Sequence, residues 1–90
     1  MLYWELMWDE RSDEHIARHN VTMREVEEAL MDERSRESVT QRDGEDRIVV
    51  LGRTDAGRYL AVILDPLGGG YVRCITEFDM SANLRSQYVG

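Results

Sequence analysis

The chain has 90 residues, of which 42% are hydrophobic, and its 18 acidic and 11 basic residues give a formal net charge of −7. So short a chain forms a single small domain, residues 1–90, and buries only about 60–65% of its unfolded surface. The acidic excess argues against a constitutive nucleic-acid or membrane binder, because such surfaces need clustered Lys or Arg. The charge is uneven, however: residues 1–46 hold 14 acids and 6 arginines, whereas residues 47–90 hold 4 acids and 5 arginines.

All 11 basic residues are arginine, which favours planar, bidentate pairing with carboxylate or phosphate. The single cysteine, Cys74, excludes an internal disulfide. The opening segment MLYWELMW is apolar but too short and too acidic for targeting, and no run of about 18 apolar residues is present. We therefore expect a cytoplasmic protein without a membrane partner.

The first predicted helix runs from about Glu10 to His19, with Asp9 as its N-cap and Asn20 in the left-handed position past its end. His15 and His19 are four residues apart, so both imidazoles can reach one metal ion. No third ligand follows at a recognisable spacing, and the H-E-x-x-H motif is absent. We expect no metal and no other cofactor. His19 is either a group that packs at the helix corner or the proton-transfer residue of a catalytic site.

A second helix follows this corner at once. Thr22 to Glu25 forms the T-x-x-E capping box, and Val21 and Val26 occupy the two positions of a hydrophobic staple. The buried residues expected in this helix are Met23, Val26 and Leu30.

The hydrophobic period then changes. RIVVLGR, RYLAVILD and GYVRCITEF are rich in β-branched and aromatic residues, and TDAG and PLGGG separate them, which predicts an antiparallel meander. RESVTQR, before the DGED turn, predicts an edge strand guarded by terminal charges. DMSANLRSQY predicts a closing helix capped by Asp79 or Ser81, with Leu84 and Tyr88 buried. The fold class is thus α+β: two N-terminal helices, an antiparallel sheet of three to four strands, and a short C-terminal helix.

Four strand arginines are candidates for holding an anion. Arg53 and Arg58 flank TDAG and are expected to face each other across the hairpin, where like charges are unfavourable. Either Asp55 in the loop or a bound phosphate or partner carboxylate neutralises them. Arg47 and Arg73 are assigned to adjacent strands, and Arg47 has the side-chain parity of Arg53. Several arginines and a histidine suit RNA cleavage, in which a ribose 2′-hydroxyl attacks the adjacent phosphate.

The order of these motifs resembles the BrnT family of toxins. The shared features are WDE, then RHNVT with an acidic helix, LGRTDAGRYLAVIL, VRCIT, and a closing helix that ends in R-x-x-Y. The resemblance covers nearly the whole chain. It implies a RelE-type ribonuclease of a toxin–antitoxin pair, neutralised by a ribbon-helix-helix antitoxin, whose complex represses its own operon. It also implies an RNA substrate, and either a homodimer or a toxin–antitoxin heterotetramer.

Carried onto this sequence, the resemblance assigns roles to the matching residues. The matches are Trp8, Asp9 and Glu10, then Arg18 and His19, Gly52, Arg53 and Thr54, Arg58 and Arg73, and finally Ser81, Arg85 and Tyr88. We predict that His19, Arg53 and Arg73 are catalytic. Arg18, Arg47 and Arg58 are predicted to bind the substrate.

Three residues depart from the family pattern. Glu77 and Phe78 stand where an Ala-Arg pair is usual, and Leu84 stands where Glu is common. A second reading therefore stays open: a non-catalytic, BrnT-like binding module that keeps the partner surface and has lost the nuclease. Binding of an antitoxin survives such changes more easily than catalysis does.

Overall fold

The computed structural model describes residues 5–7 and 20–90. The elements in chain order are β1 (Glu5–Met7), α1 (Met23–Met31), β2 (Arg36–Arg42), β3 (Glu45–Arg53), β4 (Tyr59–Gly68), β5 (Tyr71–Asp79) and α2 (Ala82–Val89). The strands form one sheet in the order β1-β5-β4-β3-β2. Strands β2 to β5 are an antiparallel meander, and β1 lies parallel to β5.

The predicted fold class is wrong in the sheet and in the helices that precede it. The sheet has five strands and is mixed, because β1, in the apolar opening segment, adds beside β5. A strand of three residues is too short to show an alternating pattern, and its distant parallel partner leaves no hairpin signal in the sequence. Within the described residues a single helix, α1, lies between β1 and β2. The helix predicted from about Glu10 to His19 lies outside them.

The capping box at the start of α1 is confirmed. The Thr22 hydroxyl accepts a hydrogen bond from the Glu25 backbone N–H at 3.0 Å, and the Glu25 carboxylate accepts one from the Thr22 N–H at 2.9 Å. The prediction that Met23 is buried is wrong, because the helix meets the sheet most closely further along, where Ala29 lies against Gly52. The buried residues of α1 are Val26, Ala29 and Leu30.

The meander follows the predicted strands closely. β2 coincides with RESVTQR, and a two-residue turn with positive φ at Asp43 and Gly44 joins it to β3. β4 is longer than predicted, because it continues through Pro66 to Gly68 across an irregular stretch of its pairing with β5. Asn20 has a φ of 55°, as expected for a left-handed residue.

The sheet has a core on each face. Under α1 lie Val50, Leu60, Val62, Leu64 and Val72, together with the buried residues of the helix. The other face carries Leu51, Ala61, Met80 and Tyr88. Ser81 precedes α2, and its hydroxyl accepts from the Leu84 N–H at 3.2 Å, so Ser81 and not Asp79 is the N-cap. No helix among the described residues is long and apolar enough to cross a membrane.

Candidate functional site

The loop between β3 and β4 separates Arg53 from Arg58. Arg53 is paired with Tyr59 in the sheet, and the Thr54 N–H donates to the Arg58 carbonyl at 2.8 Å, so Arg58 closes the loop instead of entering the strand. The prediction that Arg53 and Arg58 face each other is therefore wrong. A loop that runs from Thr54 to Arg58 has one more residue than TDAG alone, which shifts the pairing of the strands by one position.

The guanidinium of Arg58 is held by carboxylates on two other elements. It donates to both Asp79 oxygens, from Nε at 2.7 Å and from Nη2 at 3.1 Å. Its Nη1 lies 3.3 Å from a Glu25 oxygen and donates to the Asn20 carbonyl at 2.8 Å. The hydrogen bond from Arg58 is the main cause that lowers the pKa of Asp79. Arg58 thus joins the end of β5 to the start of α1.

Arg47 and Arg73 share one carboxylate. They lie on β3 and β5, with β4 between them, so the assignment to adjacent strands is wrong. Asp65 on β4 is 3.3 Å from Arg47 Nη1 and 3.0 Å from Arg73 Nη2, and Glu45 also pairs with Arg47. Both arginines are consequently neutralised within the sheet.

The structure does not bring Arg73 to Arg53. Arg53 is paired with Tyr59, whereas Arg73 is paired with Asp65, six residues further along β4. At 3.3 Å per residue the two positions are about 20 Å apart on the same sheet face. Two side chains so far apart cannot contact the same phosphate.

A second group of arginines makes no ion pair in the described part of the chain and gathers around two tyrosines. We call it the arginine cluster; its members are Arg34, Arg36, Arg53 and Arg85. The guanidinium carbon of Arg85 is 4.3 Å from the centre of the Tyr59 ring, and that of Arg53 is 5.2 Å from it. The rings of Tyr59 and Tyr88 meet edge to face with centroids 5.7 Å apart. Arg36 Nε donates to the Tyr88 carbonyl at 2.9 Å.

Strand register explains why these arginines meet. Arg36 is paired with Leu51, and Arg53 lies two residues further along β3, so both side chains are on the face that α2 covers. Arg53 is directly opposite Tyr59, which places its guanidinium beside the aromatic ring. An arginine near an aromatic ring is held without a carboxylate and keeps its positive charge available.

Asp32, just after α1, connects the parts of this cluster. Its Oδ2 accepts from the Arg53 backbone N–H at 2.8 Å and from the Tyr88 hydroxyl, and its Oδ1 accepts from the Arg34 backbone N–H at 3.0 Å. Burial raises the pKa of Asp32, but these hydrogen bonds outweigh it and the pKa is lowered. Burial and the bond to Asp32 raise the pKa of Tyr88 to about 12. Tyr88 is therefore a hydrogen-bond donor at neutral pH.

The cluster opens onto a groove of about 720 Å³ between the end of α1 and the loop after β3. The groove is lined by five carboxylates and three arginines. Among these residues, Arg34 and Arg53 belong to the arginine cluster, and Asp32 connects its parts. The shared arginines are exposed to solvent. A charged ligand in the groove can consequently reach them.

Of the site residues predicted from the sequence, Arg53 lies in the cluster, and Arg47, Arg58 and Arg73 are in ion pairs. Arg18 and His19 lie outside the described residues. Sequence reasoning missed Arg34, Arg36, Tyr59 and Asp32 as site residues. No local signal marks them, because only the strand register places Asp65 opposite Arg73, Leu51 opposite Arg36 and Tyr59 opposite Arg53.

The departures Glu77 and Phe78 lie on opposite faces of β5. Glu77 is fully buried in register with Val62 of the α1 core, and the Cys74 thiol donates to its carboxylate at 3.4 Å. Phe78 packs against the core under α2. Each of these side chains therefore packs in a core of the domain, and Phe78 does so on the face that carries Tyr59 and Tyr88.

Together these features define a small α+β domain with an exposed group of arginines suited to binding an anion. The chain matches the family model for the ribonuclease toxin BrnT of type II toxin–antitoxin systems over residues 8–83. It belongs to that family, and the resemblance noted from the sequence is confirmed. A type II toxin has an antitoxin as its partner. A comparison with curated proteins gives no match.

Proposed function

We propose that the protein cleaves RNA at the arginine cluster. The observation that carries this proposal is that Arg36, Arg53 and Arg85 meet Tyr59 or Tyr88 and have no carboxylate partner among the described residues, in a protein with a net charge of −7. An acidic protein has enough carboxylates to neutralise every arginine, as it does for Arg47, Arg58 and Arg73. Unpaired guanidinium groups that converge are suited to the phosphates of RNA.

In the proposed reaction, the ribose 2′-hydroxyl loses its proton, its oxygen bonds to the adjacent phosphorus, and the bond from phosphorus to the 5′-oxygen breaks as that oxygen gains a proton. Negative charge grows on the phosphoryl oxygens, where Arg53 and Arg85 stabilise it. Tyr88 is a poor base because its pKa is about 12, and Asp32 is a weak one because its pKa is lowered. We assign proton transfer to His19, because an unperturbed imidazole changes its charge near neutral pH.

The other arginines have different roles in this proposal. Arg47, Arg58 and Arg73 hold strands and helix together through Asp65, Asp79 and Glu25. Moving Arg58 onto RNA would leave Glu25 and Asp79 without their shared cation, whereas Asp65 would keep one of its two arginines. Their contribution is therefore to stability, and the phosphate contacts belong to the cluster.

We further propose that the antitoxin is of the ribbon-helix-helix type. Because such domains pair as two-fold dimers, one antitoxin dimer binds two toxins and yields a heterotetramer. We place the site of action of the toxin in the cytoplasm, where RNA is accessible. Binding close to the arginine cluster is enough to exclude RNA, and this explains how an antitoxin prevents cleavage.

Cleavage of a fluorogenic single-stranded RNA by protein freed of antitoxin tests the proposal. Arg53→Ala or Arg85→Ala should lower kcat/KM by about 10²- to 10³-fold, the usual effect of losing one charge-stabilising donor. The matched control is Arg42→Ala, which removes the same charge from an arginine that lies at the far end of β2 and makes no described ion pair. The kcat/KM of Arg42→Ala should stay within roughly twofold of the wild-type value, because a charge farther from the site than the Debye length is screened.

Salt dependence gives a second measurement. Each phosphate contact to single-stranded RNA contributes a slope of about −0.7 to log K against log salt. Arg36→Ala or Arg53→Ala should therefore make the slope shallower by about that amount, and Arg42→Ala should not. Folded wild-type protein that neither cleaves RNA nor slows growth would overturn the nuclease proposal and favour the non-catalytic binding module.

A further inference from the structure

Asp32 lies beside the arginine cluster and accepts no described hydrogen bond from a guanidinium group, although the charge of Arg34 acts on its carboxylate. No guanidinium in the described chain forms an ion pair with it; its bonds come from the backbone N–H groups of Arg34 and Arg53 and from the Tyr88 hydroxyl. A charged acceptor binds such donors strongly and orients them. Asp32 thus fixes the backbones of two cluster arginines while their side chains stay available to a phosphate.

The third hydrogen bond of Asp32, from the Tyr88 hydroxyl, affects the positions of Arg36 and Arg85 indirectly. Tyr88 belongs to α2, and Arg85 lies three residues earlier on the same helix, where it meets the Tyr59 ring. The Tyr88 carbonyl also accepts the bond from Arg36. By holding the tyrosine hydroxyl, Asp32 sets where α2 rests on the sheet, and hence where Arg85 and Arg36 lie relative to Arg53.

We propose that Asp32 is a positioning residue for RNA cleavage, which rests on the proposed function of the cluster. It sets the places of the cluster arginines relative to one another and touches no atom of the substrate. Misplacing a catalytic group by about 1 Å is enough to cost on the order of 10²-fold in rate. The geometry that matters here is the set of three hydrogen bonds, which the negative charge of Asp32 strengthens.

If Asp32 acts only through its negative charge, Asp32→Asn should favour activity; if Asp32 positions the arginines, the same change should reduce it. Losing a negative charge beside four arginines should strengthen RNA binding, so KM should stay equal or fall. Losing the charged acceptor loosens Arg53 and Tyr88, so kcat should fall by about 10- to 100-fold. The matched control is Asp43→Asn, which removes the same charge from an exposed residue in the β2–β3 turn that makes no described hydrogen bond and whose positive φ an asparagine tolerates. It should leave kcat within roughly twofold.

Tyrosine absorbance gives a readout that does not depend on activity. In the wild type one phenol should titrate near pH 12, and Tyr88→Phe should remove that step. In Asp32→Asn the step should move toward the ordinary value of 10.0. Tyr88→Phe keeps the ring against Tyr59 and removes only the hydroxyl, so it should also lower kcat without raising KM. It is the second variant should Asp32→Asn fail to fold.

The outcomes separate the two proposals. An active wild type, an Asp32→Asn variant with reduced kcat and unchanged or lower KM, and a shifted phenol titration support the positioning role. An active wild type with wild-type kcat in both Asp32→Asn and Tyr88→Phe overturns it. Equal losses in Asp32→Asn and Asp43→Asn also overturn it, since loss of a negative charge would then explain both. A folded, inactive wild type overturns the proposed RNA cleavage, and with it the role given to Asp32.

Discussion

A Cβ atom on Gly52 would stand within 3.0 Å of the backbone of Ala29. Helix α1 therefore touches β3 directly at this glycine, one residue before Arg53. Asp32 follows Ala29 by three residues, so the same contact brings its carboxylate to the Arg53 N–H. Close packing of helix on strand thus determines where the arginine cluster begins.

Gly52→Ala should lower the free energy of unfolding by about 3 kcal/mol, because a methyl group in this packed contact forces the helix away from the strand. Urea denaturation measures the loss. The control is Gly44→Ala in the β2–β3 turn, where the added Cβ meets open space and only the positive φ is unfavourable. That control should lose about 1–2 kcal/mol. A Gly52→Ala protein as stable as the wild type would contradict the close contact.

Arg58→Ala should destabilise the protein at pH 7 by about 1–2 kcal/mol, since it leaves Asp79 and Glu25 without their shared cation. Asp79 is largely exposed, which keeps the loss small. The control is Arg24→Ala, whose pair with Glu28 is at the surface; its loss should be at most about 0.5 kcal/mol. A loss of stability no larger than that of Arg24→Ala would show that Arg58 does not join β5 to α1.

The loss of stability on acidification should differ between Arg58→Ala and the wild type in a defined direction. The pKa of Asp79 is lowered chiefly by Arg58, and the pKa of Glu25 by the Thr22 N–H and then, against burial, by Arg58. Carboxyls with lowered pKa values stabilise the fold above their ordinary values of 3.8 and 4.5, and this stability is lost as the pH falls through the lowered values. Arg58→Ala should therefore lose less stability than the wild type on acidification below these values. A parallel acid profile would contradict the ion pairs.

Arg73→Ala should leave RNA cleavage within roughly twofold of the wild type, because at about 20 Å from Arg53 its charge is screened at physiological salt. Stability should fall slightly, by about 0–1 kcal/mol, since Asp65 keeps Arg47 as a partner. Kinetics and thermal melting on one preparation separate these effects. A loss of activity as large as that of Arg53→Ala would place Arg73 at the scissile phosphate after all.

Cys74 should be unreactive in the folded protein. Burial raises the pKa of its thiol, and the nearby Glu77 charge and their hydrogen bond raise it further, so little thiolate exists at neutral pH. Labelling with a chromogenic disulfide reagent should be slow in buffer and rapid in urea, with a midpoint that coincides with unfolding. Fast stoichiometric labelling without urea would show that β5 opens readily.

The sequence predicted those elements whose signals are local. The capping box needs only Thr22 and Glu25, and the antiparallel strands alternate or carry β-branched runs between clear turns. β1 was missed because three residues cannot show a period and its partner lies more than sixty positions away. Met23 was misplaced because the helical period defines a face but does not say which turn of the helix meets the sheet.

The candidate site depends on register, which the sequence leaves open. A one-residue difference in the length of the β3–β4 loop decides whether Arg53 faces Arg58 or Tyr59. Whether an arginine is neutralised depends on what lies opposite it on a neighbouring strand, as Asp65 does for both Arg47 and Arg73. The role of Asp32 depends on contacts with residues 21 and 56 positions away, and no local motif encodes them.

Among the residues that the structure describes, strand β2 has a neighbour on one side only, and all seven of its residues are exposed. In an antiparallel pair, successive backbone amides point alternately toward the neighbour and away from it. Amide hydrogen exchange should therefore be slow and fast at alternate positions from Arg36 to Arg42. A chain that added a strand at this edge would bond the outward amides and slow the fast set, so the exchange pattern of β2 reports directly on whether the edge is occupied.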